Sequence, residues 1–135
     1  MKKIWKVIKD YVYIIIIVVL FRTFIATPAI VEGSSMDTTL ADGQIVLINK
    51  IIYSVTNISR YDIVVLNNKE DKDKIIKRVI GLPNEKISYK NNVLYINGNE
   101  TTNNIKFEAT EDFEVTTADN EYFVLGDNRD VSKDS

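Results

Sequence analysis

A serine that attacks a peptide carbonyl needs a base to take its proton, and this chain has no histidine to supply one. Ser35 lies in "EGSSMDTTL" (residues 32–40), two positions after Gly33, which opens backbone geometry closed to other residues or a close approach to a ligand. In isolation such a serine is ordinarily a turn or cap residue. The missing histidine excludes a Ser-His-Asp triad. The missing cysteine excludes a thiolate nucleophile, a disulfide framework and, with histidine also absent, the usual zinc sites. Any general base must be Lys, Asp, Glu or Tyr. Lys77 is the candidate, inside the apolar stretch "KIIKRVIGLP". On a strand, Ile75, Lys77 and Val79 share one face while Ile76, Arg78 and Ile80 share the other. The ordinary meaning is an edge strand with solvated charges. The functional meaning is a desolvated lysine, whose ammonium form burial disfavours, leaving an amine able to deprotonate a serine. A third cluster, Asp127, Asn128, Arg129, Asp130, Ser132 and Asp134, crowds the C-terminal "GDNRDVSKDS". It lacks the length and closing Glu of an EF-hand loop, so no metal is expected there.

These residues need a scaffold, and the chain after residue 25 reads as strands. Residues 44–52 (QIVLINKII), 62–66 (DIVVL) and 74–80 (KIIKRVI) are short runs rich in β-branched residues. "GLPN" is a turn signal, and "EKISYKNNVLYING" predicts a hairpin with Asn91-Asn92 at its turn. Residues 121–125 (EYFVL) form another expected strand, and the polar stretch 99–120 is expected to be a surface excursion. The fold expected is mainly β: a small antiparallel barrel or sheet, preceded by one transmembrane helix.

That helix comes from the N-terminus. Residues 11–21 are uncharged, but eleven helical residues reach only ~16 Å against a hydrocarbon core of ~30 Å. Residues 4–25 are long enough if Lys6, Lys9 and Arg22 snorkel to the two surfaces, with Trp5 and Tyr11 at the inner interface. Lys2, Lys3, Lys6, Lys9 and Arg22 stand against Asp10, so the first 22 residues carry +4 and the other 113 carry −6. The lysines set the N-terminus in the cytoplasm and the rest outside. A cleaved secretory signal ending near Ala26-Thr27-Pro28-Ala29 is the rival reading, with Arg22 against it. Residues 1–25 are thus the cytoplasmic end and anchor, and 26–135 an extracytoplasmic domain. An acidic domain argues against nucleic-acid binding.

The segments "SMDTTL", "RYDIV", "KRVIGLPNE" and "GDNRDVSKDS", in this order after an apolar N-terminus, resemble bacterial type I signal peptidases, Gram-positive-like. The family pattern is S-M-x-P-T-L, R-G-D-I-V, K-R-x-I-G-L-P-G-D and G-D-N-R-x-x-S-x-D-S-R. The resemblance implies a membrane-bound Ser-Lys endopeptidase without cofactor. Ser35 would be the nucleophile and Lys77 the general base. Ser132 would orient Lys77, and Asp127 and Asp134 would engage Arg78. The Ser35 N–H would contribute to an oxyanion hole, a kind of contact worth about 10²–10³ in rate. Gly33 stands where some members add a hydroxyl donor. Substrates would be secretory preproteins, cut after small residues of Ala-x-Ala type. The signal peptide would add a strand beside residues 30–33 and 74–77, with Val31, Gly33, Met36, Leu40 and Ile76 lining the site. Membrane lipid is the other partner expected.

The sequence departs from the pattern at Thr38 (for Pro), Tyr61 (for Gly) and Asn84-Glu85 (for Gly-Asp). The pattern also continues past Ser135 into an arginine and closing strands, so a truncated chain is expected. Two alternatives follow: a truncated or inactive anchored relative that binds peptides without turnover, and a self-cleaving cytosolic Ser-Lys protease of the repressor type. The apolar N-terminus argues against the second.

Overall fold

The computed structural model describes residues 2–37, 39–68, 73–101 and 111–128. Two compact units emerge, one of residues 1–29 and 45–57, the other of residues 30–44 and 58–135.

The first unit begins with helix α1, Lys2–Leu20, which gives way to a single π-helical segment, Phe21–Ile25. Chain direction changes at Ala26, whose backbone is extended (φ −152°, ψ 144°). The Lys50 ammonium donates to the Arg22 and Thr23 carbonyls at 3.2 and 3.1 Å, satisfying oxygens at the helix end. Strand β1, Ala26–Ile30, pairs with β2, Ile45–Asn49, and one turn of helix, α2 (Ile52–Val55), follows. The Asn49 side-chain oxygen accepts from the Ile51 and Ile52 N–H groups at 3.1 Å each, which starts that turn.

Over residues 4–25 the structure does not give the single spanning helix expected. Among the described residues no helix is long and apolar enough to cross a membrane. The reasons are local: Lys6, Lys9 and Asp10 charge the first half of α1, and the α-helical hydrogen-bond pattern stops at Leu20, before Arg22. Within α1, the Lys9 ammonium lies 5.6 Å over the Trp5 ring.

Among the described residues the strand pairings of the second unit are antiparallel. Strands β3 (Ile63–Asn67), β4 (Lys74–Gly81) and β9 (Phe123–Leu125) form a three-stranded sheet with β4 in the middle. Strands β5 (Lys86–Lys90), β6 (Val93–Ile96), β7 (Asn99–Glu100) and β8 (Phe113–Thr116) form a four-stranded sheet in the order β7-β6-β5-β8. The expected sheet is present. A closed barrel is not: among the described residues the strands form separate open sheets.

Turn chemistry sets the hairpins. Asn91 and Asn92 both have positive φ (50° and 64°), the two left-handed residues of a type I′ turn joining Lys90 to its partner Val93. Asn97-Gly98 repeats the device (φ 51° and 80°) between Ile96 and its partner Asn99. The second hairpin and β8 replace the surface excursion expected over residues 99–120, of which residues 102–110 lie outside the described set. Phe113 and Val115 alternate with Glu114 and Thr116, and the first pair packs on the core.

The core has two clusters. Ile80, Ile87, Tyr89, Leu94, Ile96, Phe123 and Leu125 make the larger, with Tyr61, Phe113 and Val115 against it. Val64, Val79 and Val124 make the smaller, with Ile58, Leu66 and Leu82 at its margin. Strand β4 serves both, since Val79 and Ile80 point to opposite faces.

Candidate active site

Lys77 sits in the middle strand and its residue is 3 % exposed. At Lys77 itself only β3 pairs with β4, since β9 joins from Arg78 on, yet the residue is buried and not a solvated edge charge. Directly opposite on β3 is Val64, and two residues along is Val79, both buried.

Arg78 points to the other face and finds a carboxylate. Its Nε donates to Asp127 Oδ1 at 2.9 Å and its Nη2 to Asp127 Oδ2 at 2.6 Å, the two-pronged geometry a guanidinium favours. Nη1 donates to the Tyr61 carbonyl at 3.0 Å. The Asp127 side chain is 3 % exposed and that of Arg78 is 12 %. Hydrogen bonding to Asp127 raises the Arg78 pKa, burial opposes the rise, and the carboxylate's charge adds to it, for a net shift upward. Pairing explains the placement: Arg78 lies opposite Leu125 at the end of β9, which delivers Asp127 two residues later.

The loop of Ser35 is held at both ends. Val31 and Gln44 exchange contacts through Val31 N–H to Gln44 O, and Gly43 N–H reaches Val31 O, each at 2.8 Å. Gly33 has φ +91° and donates its N–H to Asp42 Oδ1 at 2.8 Å. A Cβ on Gly33 would meet nothing within 4 Å, so backbone conformation and not space requires glycine there. Beyond it the chain turns tightly, with Asp37 N–H donating to Ser34 O and Leu40 N–H to Met36 O. Met36, 1 % exposed, pins the turn from inside, and Ser35 beside it is half-buried.

Two contacts tie this loop to the sheet. The Asn128 N–H donates to the Ser35 carbonyl at 2.9 Å. The Thr39 hydroxyl donates to Asp127 Oδ2 at 2.5 Å and accepts from Arg78 Nη2 at 3.3 Å. The segment following β9 thus bridges the Ser35 loop and the residue next to Lys77. Nothing in the residue pattern alone marks Thr39 or the Asn128 backbone for this role. The only signal for Thr39 was its place in the same short motif as Ser35.

Of the remaining expected site residues, Val31 is buried while Leu40 and Ile76 are half-buried. Ser132 and Asp134 lie outside the described residues, as does Thr38. The departures at Tyr61 and Asn84 have a common geometry: both residues have positive φ (72° and 62°), at positions where the pattern has glycine. Tyr61 also packs on the larger core cluster. Glu85, where the pattern has Asp, receives Arg60 Nη1 at 2.8 Å and the Leu82 N–H at 2.7 Å, with Arg60 Nη2 on its other oxygen. Burial pushes the Glu85 carboxyl up, but the hydrogen bonds from Arg60 and Leu82 and the guanidinium charge outweigh it and hold the pKa below its ordinary value.

Comparison with known proteins identifies the family. The family model described as signal peptidase, peptidase S26, matches residues 4–135. The chain is 38 % identical to signal peptidase I P of Bacillus subtilis subsp. natto over 94 % of its own length and 75 % of the relative's. It is 37 % identical to signal peptidase IB of Staphylococcus aureus, covering 89 % of this chain and 73 % of that one. A crystal structure of a signal peptidase I from Enterococcus faecalis V583 is similar over 59 % of this chain and 85 % of the other, with 30 % identity and a TM-score of 0.52. Four ordered motifs, an antiparallel β unit and matches of this extent lead to one conclusion: the chain belongs to the signal peptidase family, peptidase S26.

Proposed function

We propose that this signal peptidase cleaves precursors after Ala-x-Ala-type sequences, with Ser35 as nucleophile and Lys77 as general base. The observation that carries the reading is the burial of Lys77 between Val64 and Val79, one residue from an arginine bonded to the Ser35 loop. Burial favours the neutral amine, the form a base needs. Lys77 takes the proton as Ser35 Oγ attacks the scissile carbonyl. The Ser35 N–H donates to the resulting oxyanion. Collapse expels the new amino terminus, which takes the proton from Lys77 and leaves an acyl ester on Ser35. Water, deprotonated by Lys77, then hydrolyses the ester and restores the serine. Ser132 is assigned the orientation of Lys77.

Among the described residues strand β9 runs beside β4 only from Arg78 to Gly81, while β3 pairs with Lys74 to Arg78 from the other side. This supports an extended signal peptide adding alongside residues 74–77, with 30–33 as the other wall. Val31, Gly33, Met36, Leu40 and Ile76 are assigned to shallow pockets that exclude large side chains by overlap.

The membrane assignment belongs to the same proposal. Side chains from Tyr11 to Phe21 are uncharged and exposed, which suits apolar surroundings. The lysines that precede this run suit a membrane-associated N-terminus facing the cytoplasm. Processing of a secretory precursor by the purified full chain tests the assignment. Ser35→Ala and Lys77→Ala are each expected to abolish cleavage, and cleavage retained in either variant contradicts it.

A further inference from the structure

We infer that Thr39 is a positioning residue for the reaction, acting through its hydroxyl to fix the Ser35 loop against β4; this rests on the Ser-Lys reading above. Thr39 is four residues beyond the nucleophile and Lys77 is one residue before Arg78. The single Thr39 oxygen spans the distance between the two, donating to Asp127 Oδ2 at 2.5 Å and accepting from Arg78 Nη2 at 3.3 Å. Its partners are themselves immobilised. Asp127 is buried and doubly bonded to Arg78, and Arg78 is bonded also to the Tyr61 carbonyl. Inside the loop, Thr39 N–H donates to Met36 O at 3.0 Å, so the side-chain contact is transmitted to the turn that carries Ser35 by a short backbone path.

Strand β9 leads into the other half of the clamp. Asn128 N–H holds the Ser35 carbonyl at 2.9 Å, one residue after Asp127. That bond holds the Ser35 end of the turn, and the Thr39 hydroxyl adds an attachment to the same Asp127–Arg78 pair four residues further on. Thr39 is largely exposed, so its hydroxyl does not serve burial of the core. Threonine suits the task because one hydroxyl both donates and accepts, and branching at Cβ restricts its rotamer.

The test compares Thr39→Val, which keeps the shape and removes the hydroxyl, with Thr39→Ser, which keeps the hydroxyl. Both are made in the full chain and assayed on a precursor peptide, with thermal unfolding measured alongside. Misplacement of a reacting group lowers kcat steeply, so Thr39→Val is expected to lose about tenfold or more in kcat with KM within about twofold of wild type. Thr39→Ser is expected to restore most of that loss. An unaltered kcat in Thr39→Val overturns the inference, as does an equal loss in the two variants. If Thr39→Val unfolds at a markedly lower temperature than Thr39→Ser, the hydroxyl is a stability element and the positioning role is likewise overturned. Loss of activity in Ser35→Ala in the same assay separates the two levels: cleavage persisting there defeats the Ser-Lys reading itself.

Discussion

Asp127→Ala leaves a half-buried guanidinium without its carboxylate, and the size of the resulting loss can be worked from the geometry. The substitution removes two charge-assisted hydrogen bonds, at 2.9 and 2.6 Å, and the acceptor of the Thr39 hydroxyl. Breaking a buried pair from one side ordinarily costs about 3–5 kcal/mol. Here Arg78 keeps the Tyr61 carbonyl and the Thr39 oxygen, and 12 % of its side chain still meets water. Thr39, largely exposed, can turn to solvent. The expected loss is therefore at the lower end, about 3 kcal/mol. With a urea m-value of about 1.5 kcal/mol/M, the unfolding midpoint falls by about 2 M. The assay is urea unfolding of the full chain in detergent, followed by the near-ultraviolet circular dichroism of buried Tyr89 and its stacked neighbour Phe113. Asp127→Asn, which keeps an acceptor but not the charge, should fall between wild type and Asp127→Ala. Replacing both partners, Arg78→Met with Asp127→Leu, should cost less than Asp127→Ala alone, because no charge is then stranded. A loss under about 1 kcal/mol for Asp127→Ala is the behaviour of a solvated surface pair and refutes the reasoning.

Gly81→Ala should destabilise by about 1–3 kcal/mol in the same unfolding assay, because the added Cβ would lie 2.5 and 2.8 Å from Ile87 side-chain carbons and 3.1 Å from Phe123 Cβ, inside the packed core. Asn84→Ala should cost about 1 kcal/mol at φ 62°, whereas Asn84→Gly, which adopts that backbone freely, should lie within about 0.5 kcal/mol of wild type. Glu85 has a pKa held below its unfolded value, so its contribution to stability is complete above about pH 4.3 and is lost as pH falls through the lower, folded value. The stability difference between wild type and Glu85→Gln, followed by urea unfolding from pH 7 downward, should hold near neutrality and shrink on strong acidification.

Strand β4 was legible because its pattern is unambiguous, with aliphatic residues on both faces and one cation on each. Its central position was not, since neither periodicity nor composition reports which strands flank it. The Asn91-Asn92 hairpin was read from turn chemistry, yet the equally strong Asn97-Gly98 signal six residues later was passed over, and β7 was lost with it. Strand β8 was hidden for a different reason: "FEVT" offers only two inward residues, and the polar sequence around it outweighs so short an alternation. Tyr61 and Asn84 looked like lapses from a glycine pattern, and the positive φ at both places explains why the pattern has glycine. Arg78 with Asp127 was readable through the resemblance. Thr39 was not, because a threonine's role depends on what lies across space from its hydroxyl, and Asp127 is 88 residues away along the chain.

Among the described residues no helix is long and apolar enough to span a membrane, for reasons visible in the charges of α1. Four lysines and an aspartate precede the uncharged run, and the change to π-helical bonding at Phe21 comes before Arg22. Length counted along a sequence does not ensure that one regular helix will supply it.

The central claim is that Lys77 works as a neutral amine, and the pH dependence of kcat/KM on an Ala-x-Ala precursor addresses it directly. The free enzyme's essential base sets the acidic limb of that profile. Measured on the full chain, with Lys77→Ala as the control for background hydrolysis, the limb should fall at or below neutrality. A limb in the ordinary lysine range near about 10 would contradict the assignment.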